Sequence, residues 1–386
     1  MKPNIHTSDY LIVALDPGTS LTKVMYSLFA GSEFGKPKLM LMDATVTQVS
    51  LSAIEHYESS RLTGGQAEHE CWLRYKSKYY AVGYLAENYF RGFVNLKELK
   101  YEAAVLKVLA AVGAIASKCK LPYRYKLSLA VPLPYGEWKD SEKFKKQLGM
   151  ALSDFNYRGS KYEVELIKFL CTPEGGGHAL MRAETLREEF NSKKVLSIMM
   201  GYRDISVVKF HRGTIQGYTE KLGMSTMLNL VKQRTSGQDE KRLLVAVYRA
   251  GRRITASKFK GIALSSNEVD RCSETKCIAL AVKQAREDYW LLVNQWLKIV
   301  LEYDAEEIIV GGGTADYLRQ ELNKFLSKDY RNSELSWAAN LERDVEILFS
   351  LNGEEEGMAM RLTDVYGVLR FLQKQITKTS LPALVG

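Results

Sequence analysis

With 386 residues, 46% hydrophobic and 26% charged, the chain is long enough for two domains or one large bilobed unit, and its balance is that of a globular protein rather than a disordered or fibrous one. A net charge of +9 permits contact with nucleic acid or anionic lipid but does not require it, because a solvated basic surface gives the same sum. No apolar run is long enough to span a membrane, the opening MKPNIHTSDY lacks the apolar segment of a secretory signal, and five scattered cysteines without CxxC pairing offer no zinc site and fit a reducing cytosol.

The first predicted element is an apolar strand, Leu11 to Leu15, stopped by Asp16 and a Pro17-Gly18 turn. A second strand follows from Leu21 to Tyr26, so Asp16-Pro17-Gly18-Thr19-Ser20 is a hairpin loop. Backbone N–H groups and small hydroxyls can donate to phosphate oxygens while the carboxylate faces a hydrated Mg²⁺, although Asp-Pro-Gly is equally an ordinary turn. Residues 38–101 read as a mixed insertion with short strands such as Tyr79 to Gly83 and an exposed loop from Ser59 to Glu70. Glu102 to Cys119 is an Ala-rich helix interrupted by Lys107 and ended before Pro122. Lys126 to Val131 is a strand, and Asp140 to Leu148 a charged helix.

Glu163 to Leu170 is the next strand, running into Pro173-Glu174-Gly175-Gly176-Gly177 and a helix from His178 to Phe190. Glycines behind Glu174 let a ligand or another backbone come close; a plain loop acid is the alternative. Val195 to Met200, a Gly201-Tyr202-Arg203-Asp204 turn and Ile205 to Phe210 repeat the opening layout, which suggests an internal duplication. Leu222 to Gln233 is a helix, and the basic stretch from Lys241 to Lys260 has its charges set among apolar residues, so it is structured. Glu274 to Tyr303 makes one long helix or two, with Trp290, Val293, Leu297 and Val300 on one face. The strand Glu307 to Val310 enters Gly311-Gly312-Gly313-Thr314 ahead of a helix near Asp316, a turn that admits a planar base or a phosphate. Val345 to Leu351 reads as a strand, and a last helix starts near Glu355.

The P-loop, the GxGxxG dinucleotide fingerprint, the protein-kinase set, GxSxG and HExxH are all absent from the sequence. What remains is a DPG hairpin, a PEG turn, a second Gly hairpin and a GGGT turn, in that order. This order resembles the actin-like ATPase superfamily (actin, the heat-shock chaperones, sugar kinases and bacterial filament proteins), and within it the ParM/StbA group of plasmid-segregation actins. YYAVGYLA from Tyr79 and AVPL from Ala130 also resemble ParM-like chains. The resemblance spans nearly the whole chain, weakest at about residues 40–70 and 230–275.

The resemblance implies an α/β, actin-like (ribonuclease H-like, duplicated) two-lobed fold with a nucleotide cleft. The first lobe would be residues 1–190 with an insertion at about 38–101, the second 191–357 with an insertion at about 214–290, and 358–386 a helix packing back on the first lobe. It implies ATP/ADP and Mg²⁺ as cofactors. Gly18, Thr19, Ser20 and Lys23 would hold the β- and γ-phosphates, and Asp16 the Mg²⁺ through water. Gly201, Tyr202, Arg203 and Asp204 would close on the phosphates from the other lobe. Gly311, Gly312, Gly313 and Thr314 would border the adenosine, and Glu174 would polarise the attacking water. One departure stands out: the family's second phosphate motif carries Asp two residues before the hairpin Gly, where this chain has Met199. A thioether cannot replace a carboxylate near hydrated Mg²⁺. Asp204 either supplies one from a neighbouring position or is only a turn residue.

The implied function is a cytoplasmic filament protein of a bacterial or plasmid system, a head-to-tail homopolymer with slow ATPase activity, used for plasmid segregation or intracellular positioning. DNA would be reached through a DNA-binding adaptor rather than directly. The alternative is an actin-like scaffold or membrane adaptor with slow or no hydrolysis, in which Val368 to Lys378 lies on a membrane surface. A small-molecule kinase of the same superfamily ranks last, since no substrate-hydroxyl base stands out.

Overall fold

A computed structural model of the chain describes residues 10–31, 33–235, 237–351 and 357–380. The expected helix start near Glu355, the opening nine residues and the end of the expected 358–386 segment lie outside them. Two compact units emerge, one drawn from Met1–Leu186, Leu341–Ser350 and Leu362–Gly386, the other from Arg187–Asn340 and Leu351–Arg361.

The first unit is built on a mixed sheet of ten strands among the described residues. At its middle, Tyr10–Asp16 runs antiparallel to Thr22–Ala30 and parallel to Arg124–Leu133, which pairs in parallel with Ser160–Pro173. A strand flanked on both edges and covered on both faces needs an unbroken apolar run rather than alternation. Leu11 to Leu15 meet that need, each at most 1% exposed. Burying each of the larger side chains contributes about 1.5–3 kcal/mol. The helix Lys100–Cys119 supplies much of the cover through Ala104, Val108, Ala111, Val112 and Ile115.

The second unit repeats the arrangement. Val195–Met200 is antiparallel to Ile205–His211 and parallel to Glu307–Gly311, which pairs in parallel with Glu334–Trp337. The core beneath it joins Ile198, Met200, Val207 and Val310 to Val282, Tyr289 and Val293 of the helix Glu268–Val300. That helix is continuous, and it starts earlier than expected because the Asn267 side chain accepts the Val269 and Asp270 N–H groups.

Two local expectations change, and one alternative is set aside. Val345 to Leu351 is not a strand: residues Glu342–Phe349 are helical, with Val345 fully buried and Ile347 69% exposed. An apolar residue next to polar ones fits a single buried helical position as well as an edge strand. The loop from Ser59 to Glu70 is not simply exposed. Glu70 is buried, and its carboxylate takes Arg61, Arg158 (2.6 Å) and the Gly65 N–H. The apolar face of the last helix, Met358–Ser380, is buried at Val368, Leu369, Leu372 and Ile376, so it is not offered to a membrane. Within the first unit Gln373 donates to Ser27 Oγ at 3.0 Å, and Lys374 pairs with Glu184 at 3.2 Å. Among the described residues no helix is long and apolar enough to cross a membrane.

Candidate functional site

Two clusters carry the residues singled out by sequence, one in each unit. In the first, the hairpin register sets Asp16 opposite Lys23, and the Lys23 ammonium bonds the Asp16 carboxylate. The loop beyond is held from below by a residue on another element. Lys107, 3% exposed in the middle of the Ala-rich helix, donates to the carbonyls of Pro17 (3.1 Å) and Gly18 (3.0 Å). Its interruption of an Ala-rich apolar run was the signal in the sequence.

Glu174 follows the strand Ser160–Pro173 at the mouth of the helix Gly176–Leu186. Its N–H bonds the Leu133 carbonyl (2.7 Å), so the turn is tied to the neighbouring parallel strand. Its carboxylate accepts a 2.5 Å bond from Lys100, which is itself buried at the start of its helix. Burial alone would raise the Asp16 carboxyl, but Lys23, Lys100 and Lys107 outweigh that and hold it below the usual carboxylate range. Asp16, Lys23, Glu174, Lys100 and Lys107 are therefore one buried electrostatic group, with Thr19 buried and Ser20 half-buried in the loop.

Behind Glu174 sits a carboxylate the sequence reading passed over. Asp364, on the last helix, accepts the Gly175 N–H (2.9 Å) and the Gly177 N–H (2.8 Å). Beside it, His178 Nε2 shares a 2.8 Å hydrogen bond with Thr363 Oγ1. Burial pushes Asp364 up to about 6, with Asp16 adding to the rise and the backbone N–H groups of Gly175, Gly177 and His178 opposing it. Burial pushes His178 down to about 4.

The second cluster is assembled differently. Met199 and Met200 end their strand beside Gly311, and the Gly201 N–H bonds the Asp204 carbonyl (2.9 Å) to close the turn. The Thr314 hydroxyl donates to the Gly201 carbonyl at 2.7 Å, which joins the GGGT turn to the second hairpin. Gly312 has φ +96°, and a Cβ there would stand 2.3 Å from the Met200 carbonyl oxygen, so only glycine fits. Asp204 is 2% exposed and pairs with the guanidinium of its own neighbour, Arg203, at 2.6 Å. The Tyr202 hydroxyl bonds Glu240, and its pKa is raised by burial and by that carboxylate. Glu240 opens the helix Glu240–Ala250, in the basic stretch, where Lys258 donates to the carbonyls of Arg249 (3.3 Å) and Ala250 (3.1 Å).

No protein-family model and no curated protein matches the sequence. Solved structures do. Actin-like protein Alp7A aligns over 97% of this chain and 98% of its own at TM-score 0.62 and 13% identity. A ParM from Clostridium botulinum, in a 15-stranded filament, aligns over 95% and 99% at TM-score 0.59 and 13% identity. An archaeal actin homologue aligns over 95% and 99% at TM-score 0.55 and 12% identity. The fold is thus the actin-like one of the ParM and Alp proteins.

Proposed function

We propose that this chain binds Mg-ATP and assembles into filaments as a ParM-like, actin-type cytoskeletal protein. The observation that carries the reading is the buried group around the DPG loop. Three lysines, Lys23, Lys100 and Lys107, converge there on two acids, Asp16 and Glu174. Lysines gathered beside a Gly-Thr-Ser loop suit a triphosphate, whose developing negative charge they would help to stabilise. Gly18, Thr19 and Ser20 bind phosphate oxygens, Lys23 adds charge, and Glu174 orients the attacking water. In the second unit, Gly201 to Asp204 bind phosphate and Gly311 to Thr314 border the adenosine.

Among the described residues no cluster of three or more His, Cys, Asp or Glu could hold a metal unaided. The Asp16 carboxylate, beside the phosphate-binding loop, would hold through water an ion that arrives on the nucleotide. Bound there, Mg²⁺ supplies neutralisation of phosphate charge.

The support for self-assembly is the fold shared with proteins solved as filaments. The roles that follow from the same likeness are plasmid segregation or intracellular positioning in the cytoplasm, through an adaptor. The test is sedimentation and negative-stain imaging with ATP, ADP and no nucleotide; no polymer in any of the three overturns the filament reading.

A second reading, a scaffold with slow or no hydrolysis, is favoured by the other cluster. Met199 stands where the family has an acid, and Asp204 is engaged with Arg203. Phosphate release by wild type and Met199→Asp separates the two. A gain of tenfold or more in turnover assigns slow hydrolysis to the missing carboxylate; equal rates remove Met199 as its cause.

A further inference from the structure

The last helix meets the Glu174 turn more closely than side-chain packing requires. A Cβ on Gly177 would lie 2.0 Å from the Asp364 carbonyl oxygen, and one on Gly367 would lie 2.5 Å from the Gly177 carbonyl oxygen. Glycine on both sides lets two backbones touch, one turn away from Glu174. At that crossing the helix places two polar side chains in succession, between the buried Leu362 and Val365. Thr363 takes His178, and Asp364 takes the N–H groups of Gly175 and Gly177.

Those N–H groups open the helix Gly176–Leu186, where donors lack partners within the helix and the dipole favours a negative charge. Glu174 has its own N–H bonded to Leu133, and the next residue's N–H is bonded to Asp364. The backbone on both sides of its Cα is therefore fixed, and Lys100 restrains its carboxylate. A side chain that must place a water molecule loses rate when its backbone drifts by an ångström.

We propose that Asp364 is a positioning residue for Glu174: through the Gly175 and Gly177 N–H groups it holds the turn that aims the water-orienting carboxylate, so that the C-terminal helix controls the hydrolytic step. This rests on the reading of Glu174 as the acid that orients water. Asp364 touches no reacting atom, and its removal acts on turnover rather than on nucleotide affinity.

The test compares wild type, Asp364→Asn and Asp364→Glu by three measurements: phosphate release at saturating Mg-ATP, Mg-ATP affinity, and amide hydrogen exchange across residues 172–180. Asparagine keeps the shape and loses one acceptor; glutamate keeps the charge and displaces it by a methylene. The expected result is a fall in kcat of tenfold or more for Asp364→Asn, with affinity changed less than threefold. Exchange in the Glu174 turn should quicken tenfold while residues 10–16 stay protected. Unchanged kcat, or affinity and kcat falling together, overturns the proposal. Should wild type neither bind nor hydrolyse ATP, the reading of Glu174 fails. The exchange measurement then decides alone whether Asp364 holds the turn, and unchanged exchange rejects that. If neither variant folds, the wild-type Gly175 and Gly177 amides still judge the claim. They must exchange as slowly as the interior of the following helix, and fast exchange overturns it.

Discussion

The two hairpin turns have the same backbone plan and different electrostatic settings. Each follows an interior strand of its sheet, bends within a few residues and returns antiparallel. At the first, Asp16 faces Lys23 across the hairpin, and Lys100 and Lys107 arrive from a helix about 90 residues away in sequence. At the second, the acid Asp204 is matched by the adjacent Arg203, and the loop is secured by a neutral hydroxyl, that of Thr314. A duplicated scaffold thus fixes where a loop stands but leaves its charge to whatever packs beneath it. The first turn is preorganised by buried charges from another element, the second by an adjacent ion pair and a neutral hydroxyl.

The largest effect that sharpens this contrast is expected at Lys100. Lys100→Met takes away the Lys100 partner of a buried carboxylate, Glu174, and should cost about 3–5 kcal/mol of stability in chemical denaturation. Lys100→Met combined with Glu174→Gln should recover most of it. If the double variant is no better than the single one, the pair is not what holds the turn.

The next effect is a dependence on pH. Asp364 keeps its proton in the folded chain up to about pH 6, whereas the unfolded carboxyl releases it near ~3.9, so folding loses stability as pH rises through that window. His178 behaves oppositely. Held down to about 4, it is neutral in the folded chain while the unfolded imidazole is protonated up to ~6.5, so folding gains stability over a similar window. Each slope is at most about 1.4 kcal/mol per pH unit, and the two offset each other. Denaturation between about pH 4 and pH 6 should therefore show stability falling with pH in His178→Gln and rising with pH in Asp364→Asn. Parallel curves would remove the opposition. The smallest effect belongs to the second turn: Thr314→Val loses one hydrogen bond and should cost about 1 kcal/mol. A loss as large as that of Lys100→Met would end the distinction between the two turns.

The residues of both loops were legible because strand–turn–strand patterns are local. Leu11 to Asp16, Val195 to Met200 and Glu307 to Gly311 announce themselves by runs of buried-strand residues cut off by Gly and Pro. Less was legible where periodicity is weak, as at Val345, or where a charge is buried by a partner far along the chain, as at Glu70 with Arg158. Lys107 was visible as an interruption of an apolar helix but not as a support for Pro17 and Gly18. Asp364 gave less warning still, being one acid on an amphipathic helix.

The sequence by itself determined the order of the turns, the strands that carry them and the absence of an acid at position 199, because each depends on neighbours within a few residues. The tertiary structure decided which charges meet: Lys107 under the first loop, Lys100 against Glu174, and Asp364 behind Gly175 and Gly177. The physical reason is that a buried charge is tolerated only with a partner, and pairs such as Asp364 with Gly177 are 187 residues apart, beyond the reach of any local pattern.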